Sequence, residues 1–348
     1  MPTAERTLTA AELNRALLAR QLLLERASLS LPRALERVGG LQAQYAPSSY
    51  IGLWSRLDGF ARDDLTHALE RRTVVQGTLM RMTIHLVSAR DYPLLAAGVR
   101  NGRRESWQRG LRGRGDAGKA AAAARRLRSL LAPGPRRRQE LVEELGVDSA
   151  TWNGAGLWID LVRAPPSGTW EQRRADLYAL AEAWLGPFEA SEEEGLDLLV
   201  RRYLGAFGPA PLTDVASWAG LPPSALAPAV EGLRLRCFRD EGGAELLDLP
   251  RAPLPDPDTP APVRFLPTWD ATLLAHARRT QILAERHRPL VFSTKTPQSV
   301  STFLVDGRVA GTWKHEGGRV HVEPFERLPA GPRRELAEES ERLAAFLA

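Results

Sequence analysis

Short amphipathic helices followed by a β-hairpin recur three times along this chain, and that recurrence restricts the fold more than any other feature. In the first unit, Leu8 to Glu25 carries Leu13, Leu17, Leu18 and Leu22 as one helical stripe behind a Thr9 N-cap, with Glu12 completing a capping box. Leu31 to Val38 is a short helix with Pro32 in its first turn, and it stops at Gly39-Gly40. Asp63 to Arg72 forms a third helix with Leu65 and Leu69 facing inward. Val74-Val75, a turn near Gly77, and the β-branched run Thr83 to Val87 then read as a hairpin. Three helices closed by such a wing make a winged helix-turn-helix.

The second unit has helices over Ala120 to Leu131, Arg138 to Leu145 and Ser149 to Val162, with a turn or wing at Arg163 to Thr169. The third has a helix over 196–206 behind the acidic start Ser191 to Glu194, a short helix ending at Gly220, and another over Ser224 to Leu233. Its hairpin pairs Leu235 to Phe238 with Glu245 to Leu249 through Gly242-Gly243. A Pro-rich linker follows from Asp256 to Pro262. Beyond it, Val263 to Leu266, Leu290 to Phe292, Ser301 to Val305, Arg308 to Trp313 and Arg319 to Val322 alternate like strands. Leu273 to Glu285 and Pro329 to Leu347 read as the helices of this last unit, and Val305-Asp306-Gly307-Arg308 as a hairpin turn. The expected fold is α+β and mostly α: three tandem winged helix-turn-helix domains and a small β-rich C-terminal domain. Their bounds are 1–90, 91–188, 189–255 and 263–348. The competing reading is a generic α+β protein in which this spacing is coincidental.

Composition narrows the function. No apolar run reaches membrane-spanning length and no leader pattern opens the chain, so a cytoplasmic protein is expected. A single cysteine, Cys237, excludes an internal disulfide, and the six histidines show no HExxH or HxH spacing. Neither a metal nor another cofactor is therefore expected. Net charge is +5, and Lys119, Lys295 and Lys314 are the only lysines, so the positive charge is almost all arginine. It is concentrated: Arg100 to Arg138 holds twelve arginines and one lysine against Glu105 and Asp116. Such a block tracks polyanions, with a solvated helical face as the plainer alternative. Arg103, Arg104, Arg109 and Arg112 are its candidate DNA contacts.

Gln42-Ala43-Gln44 lies between a predicted helix and a tract of turn residues, with no carboxylate close by in sequence. An amide does not titrate, so a glutamine pair is a poor general acid or base. It suits a reaction in which a water is held and a developing cation solvated, such as hydrolysis of an already cationic N-glycosidic bond. Taken alone, the pair reads first as two polar residues near the end of a helix, capping or solvated. Downstream, Arg81, Thr83 and His85 alternate and would share one face of a strand, leaving Met82, Ile84 and Leu86 for the core. Either they line a cleft beside Gln42, with Arg81 on phosphate, or they are an ordinary polar wing face. Tyr45, Tyr50 and Trp54 are candidates for stacking on a base or for the core. Asp270 is read as a helix cap, and the hairpin Ser301 to Trp313, flanked by Arg308 and Lys314, as a probe of a groove or as a sheet edge.

Four stretches carry a resemblance: Gly40 to Tyr45, Gly77 to Val87, Phe265 to Leu274 and Val305 to Trp313. In this order they resemble the bacterial winged-helix DNA glycosylases of the AlkZ and YcaQ type, over nearly the whole chain. The resemblance implies three tandem winged helices curved around duplex DNA and a Gln-x-Gln or Gln-x-Asp motif serving catalysis. Gln42 and Gln44 match the Gln-x-Gln, AlkZ-like branch, whose enzymes excise N7-alkylguanines and unhook crosslinks formed by antibiotic alkylating agents. On this basis Gln44 would position the water and Gln42 support the sugar, while Arg81, Thr83, His85 and Arg308 join the basic block in binding DNA. Met82 departs from the pattern, standing where glycine is expected. The implied protein is a monomeric, nucleoid-associated base-excision enzyme acting on double-stranded DNA with alkylated purines. No lysine lies near the glutamines and Lys119 is the only remote candidate, which disfavours a lyase working through a Schiff base. The alternatives are a winged-helix transcription regulator without catalysis, or an interaction scaffold.

Overall fold

In a computed structural model, residues 4–110, 116–277, 279–292 and 299–348 are described, and they form an α+β molecule. Its largest sheet has six strands in the order Leu41–Gln42, Ile84–Ser88, Val74–Thr78, Leu161–Arg163, Leu177–Leu180 and Arg136–Arg137, with every pair antiparallel. The sheet therefore runs across the boundary expected at residue 90. The hairpin that follows Gln44 and the one after Asp160 join edge to edge through Gln76↔Arg163 and Gly77↔Val162. This joint needs Gly77: a Cβ there would collide with the ring of Tyr92. Gly77 is thus an in-strand glycine of close approach rather than the turn residue that the sequence suggested.

The remaining strands form two small sheets. Thr7–Leu8 runs parallel to Arg236–Asp240, which pairs with Glu245–Asp248, so the start of the chain completes the hairpin of the third unit. Arg264–Leu266, Thr302–Val305, Arg308–Glu316 and Arg319–Pro324 form a four-stranded antiparallel meander against the helix Ala330–Leu347. Buried ion pairs fix how the parts meet. Arg20 bonds Asp248 at 2.7 and 2.9 Å, and Arg56 bonds Asp270 at 2.8 and 2.9 Å, each pair almost fully enclosed. Pairs like these lock one geometry more than they add stability, because both charges give up water.

Local signals gave most helices. The Thr9–Glu12 capping box and the matching one at Ser191–Glu194 both form, opening Ala10–Arg20 and Glu192–Phe207. Several expectations fail. Ala46–Arg56 is a helix with all eleven residues buried, where turn residues were expected, and Pro47 sits in its first turn. Ser149–Ala155 ends early because Leu161–Arg163 is drawn into the sheet. Leu290 to Phe292 does not continue as a strand, since Arg288–Val291 is helical. The helix expected from Leu273 shrinks to Ala271–Leu274. There Asp270 is indeed the N-cap, accepting from the Thr272 amide, and it also binds Arg56. No helix among the described residues is long and apolar enough to cross a membrane.

Candidate active site

The helix Leu31–Val38 is closed by Gly39 and Gly40, both at positive φ (76° and 79°), which turn the chain back into the strand Leu41–Gln42. Gln42 is buried and lies opposite His85 in that antiparallel pair. Ala43 stays beside the neighbouring strand, its amide donating to the Ile84 oxygen at 2.8 Å, and the chain bends at Gln44. Gln44 is exposed. Its Oε1 accepts from the Ile84 amide at 2.7 Å. Gln42 Oε1 accepts from Arg81 Nη2 at 3.0 Å. Both carbonyl ends are therefore fixed, and among the described residues neither amide nitrogen donates a side-chain hydrogen bond.

Arg81 does not share a strand face with Thr83 and His85, as the alternation had suggested. The strand begins only at Ile84, and Met80–Met82 is a tight helical turn in which Arg81 (φ 52°) and Met82 (φ 60°) are both left-handed. This conformation favours glycine, which accounts for the glycine expected at Met82. The turn swings Arg81 back under Gln42, and its Nη1 donates to the backbone oxygen of Trp218 at 2.7 Å. Trp218 lies at the C-terminal end of the helix Leu212–Ala219, where free carbonyls and the helix dipole favour a cation. Burial lowers the Arg81 pKa to about 10, so the group remains charged at neutral pH.

Thr83 and His85 do meet: His85 Nδ1 lies 3.1 Å from the Thr83 oxygen and 3.4 Å from its hydroxyl. Burial, helped by the nearby charge of Arg81, pushes the His85 pKa down to about 3 and keeps the imidazole neutral. Tyr50 and Trp54 are core residues, whereas Tyr45 is 43% exposed and receives a hydrogen bond from Arg173 at 3.1 Å. Tyr45 lines a groove of about 700 Å³ with Arg62, Trp170, Arg173, Trp313 and Lys314. On its other side, Gln44 lines a pocket of about 260 Å³ together with Met82, Arg103, Asp160 and Arg163.

The basic block is less free than its sequence suggests. Arg103 is buried and donates to the Thr78 oxygen at 2.7 Å, and Arg104 donates to the Leu157 oxygen at 2.9 Å. Arg100, Arg128, Arg136 and Arg137 are ion-paired to Asp160, Glu182, Glu140 with Glu144, and Asp176 respectively. Arg109 is exposed, and Arg112 lies outside the described residues. Arg308 donates to the Thr280 oxygen at 2.9 Å. The turn beside it is docked on the first helix, Asn14 donating to the Gly307 oxygen at 2.8 Å. That turn is not the free tip of a probe; the Gly317-Gly318 turn of the next hairpin is further from the core, between exposed residues.

Sequence reading missed Arg163, Asp160 and the Trp218 carbonyl. A charged residue within the apolar run Trp158 to Ala164 was the available signal for Arg163; nothing local marks a backbone oxygen.

A family model for AlkZ-like DNA glycosylases matches residues 35–346. Among solved structures, the Streptomyces sahachiroi DNA glycosylase AlkZ superposes with a TM-score of 0.80 at 20% identity, covering 97% of each chain. No curated protein matches the chain by sequence. A family match over nearly the whole length places this chain in the AlkZ-like DNA glycosylase family.

Proposed function

We propose that this DNA glycosylase removes cationic alkylated purines, N7-alkylguanine foremost, from duplex DNA by hydrolysis of the N-glycosidic bond, with Gln42 and Gln44 as its catalytic residues. The three helix-and-hairpin units serve as tandem winged helices that carry the duplex. The observation behind this reading is that, among the described residues, no usable acid lies beside the glutamines. Asp270 is the carboxylate next to the small cavity at Gln42. Burial pushes its pKa up, but the charge and hydrogen bonds of Arg56 outweigh this and hold it below the usual carboxylate range. Asp160, in the pocket at Gln44, is paired with Arg100. His85 is neutral with a very low pKa. Asp270 and His85 therefore cannot protonate a departing base at neutral pH, which favours a leaving group that brings its own positive charge.

Gln44 then holds the water through the second lone pair of its carbonyl and its amide hydrogens. Gln42 has its oxygen turned to Arg81, so it presents Nε2–H to an acceptor oxygen of the nucleotide. Such preorganised groups hold the water and the nucleotide in place without reorganising during the reaction. The groove beside Tyr45, lined by aromatic rings and cations, suits the strand that carries the lesion, and its openness leaves room for a crosslinked guanine. The test is release of free 7-methylguanine from methylated duplex DNA, with uracil and 8-oxoguanine left in place. DNA binding without release of any base would instead support the regulator, and efficient uracil excision would show that an acid operates here.

A further inference from the structure

The pocket of about 260 Å³ beside Gln44 has a composition that the base-excision chemistry does not use. It lies where the two hairpins join in one sheet, walled by Tyr92, Trp152 and Tyr178. Arg103 and Arg163 line it, although they are only 8% and 7% exposed. Arg103 donates to the Thr78 oxygen and Arg163 to the Tyr178 hydroxyl at 3.3 Å, and the Nε of each is buried with no partner. Among the described residues Asp160 is the only carboxylate lining the pocket, and Arg100 already binds it at 2.8 Å. Arg103 and Arg163 thus line the pocket nearly buried, and neither has a carboxylate ion-pair partner among the described residues. Buried charges are normally paired, so the missing partner is an anion. A cationic alkylpurine would be repelled from the same place.

We propose that this pocket is a phosphate subsite: it receives a phosphodiester of the lesion-bearing strand and anchors that strand beside Gln44, while the alkylated base stays outside it. The strand's identity rests on the glycosylase reading; the anion chemistry does not. Arginine matches a phosphate through paired N–H donors, and Asn153, exposed at the pocket wall, offers another.

The test uses the full chain and duplex oligonucleotides, undamaged or carrying N7-methylguanine, in which single phosphates are replaced in turn by neutral methylphosphonates. In the wild type one position near the lesion should weaken binding about tenfold. Arg163→Met, which keeps an unbranched side chain but loses the guanidinium over Tyr178, should bind about tenfold more weakly and lower the log–log salt slope by about 0.9. The methylphosphonate at that position should then have no further effect, a coupling that mere structural damage would not reproduce. Asn153→Asp, an exposed change that leaves folding unaffected, should weaken binding about threefold. Tighter binding by Asn153→Asp would mean the pocket takes the cationic base and would overturn the proposal. So would an identical methylphosphonate pattern in wild type and Arg163→Met. Inorganic phosphate that stabilises the wild type but not Arg163→Met, with no methylphosphonate coupling, would assign the pocket to free phosphate and equally overturn it. Base release that continues without coupling sinks this subsite alone, whereas coupling without base release sinks the glycosylase substrate reading alone.

Discussion

Arg81 and Gln42 are joined by a 3.0 Å hydrogen bond from Nη2 to Oε1, while the other end of the same guanidinium holds the Trp218 oxygen at 2.7 Å. One side chain therefore connects the first hairpin, the glutamine pair and the third helical unit. The connection depends on a turn with two consecutive left-handed residues, and Gly220 makes room for it: a Cβ there would lie 2.9 Å from the Arg81 nitrogen. Two of its five N–H donors are held by these contacts, and we propose that Arg81 acts by positioning Gln42.

Replacing Arg81 should consequently affect rate more than affinity. Arg81→Met is expected to lower the single-turnover rate of 7-methylguanine release by roughly 30-fold, from a misplaced catalytic amide, with duplex affinity changed less than threefold. Arg81→Lys should recover part of the rate. A variant that loses affinity and keeps its rate would return Arg81 to the DNA-binding surface.

Gln44→Ala removes the amide proposed to hold the water. Excision should fall about 100-fold or more, by analogy with deleting one preorganised donor. Binding to duplex DNA should barely change, since phosphate contacts dominate affinity. Near-normal turnover measured in this variant would exclude the pair from catalysis.

Acid should weaken the fold through His85. Its pKa is about 3 in the folded protein against an ordinary 6.5. Below 6.5 the unfolded chain takes up a proton that the folded chain refuses. The favourable state of affairs, neutral imidazole in both forms, holds above 6.5 and is lost as pH falls toward 3. The contribution amounts to about 1.4 kcal/mol for each pH unit in that window. Denaturant titrations should show that His85→Asn lowers the pH slope of stability by this amount. Equal slopes would place a protonated imidazole in the fold. Over about pH 6 to 9 excision should vary little, because neither glutamine titrates.

Met82 provides a measure of the turn's cost. Met82→Ala keeps the left-handed strain and loses the side chain, whereas Met82→Gly loses the side chain and relaxes the strain. The glycine variant should be more stable than the alanine variant by about 1 kcal/mol. Identical midpoints in thermal unfolding would mean that the turn is not held in this conformation.

What the sequence determined by itself is whatever a few adjacent residues can enforce. Thr9 with Glu12, and Ser191 with Glu194, satisfy helix N-termini locally, so those helices were legible. Gly39-Gly40 and Gly220 ended their helices as expected, and the Val305 to Arg308 turn closed its hairpin. That the glutamine pair does not titrate was legible, because an amide is an amide in any environment. The tertiary structure alone decided which groups those amides meet. Alternation predicted Arg81 in a strand with Thr83 and His85, but its contacts with Gln42 and Trp218 hold it in a conformation that no local preference selects. Likewise Gly77 became a strand position only because Val162 pairs on one side and Tyr92 presses on its face. The basic block read as a tracker of polyanions or a solvated face, yet Arg103, Arg104, Arg128 and Arg137 found carbonyls and carboxylates dozens of residues away. Such pairings between distant segments depend on the closure of the whole chain, and that closure is what brought Arg103 and Arg163 to one pocket beside Gln44.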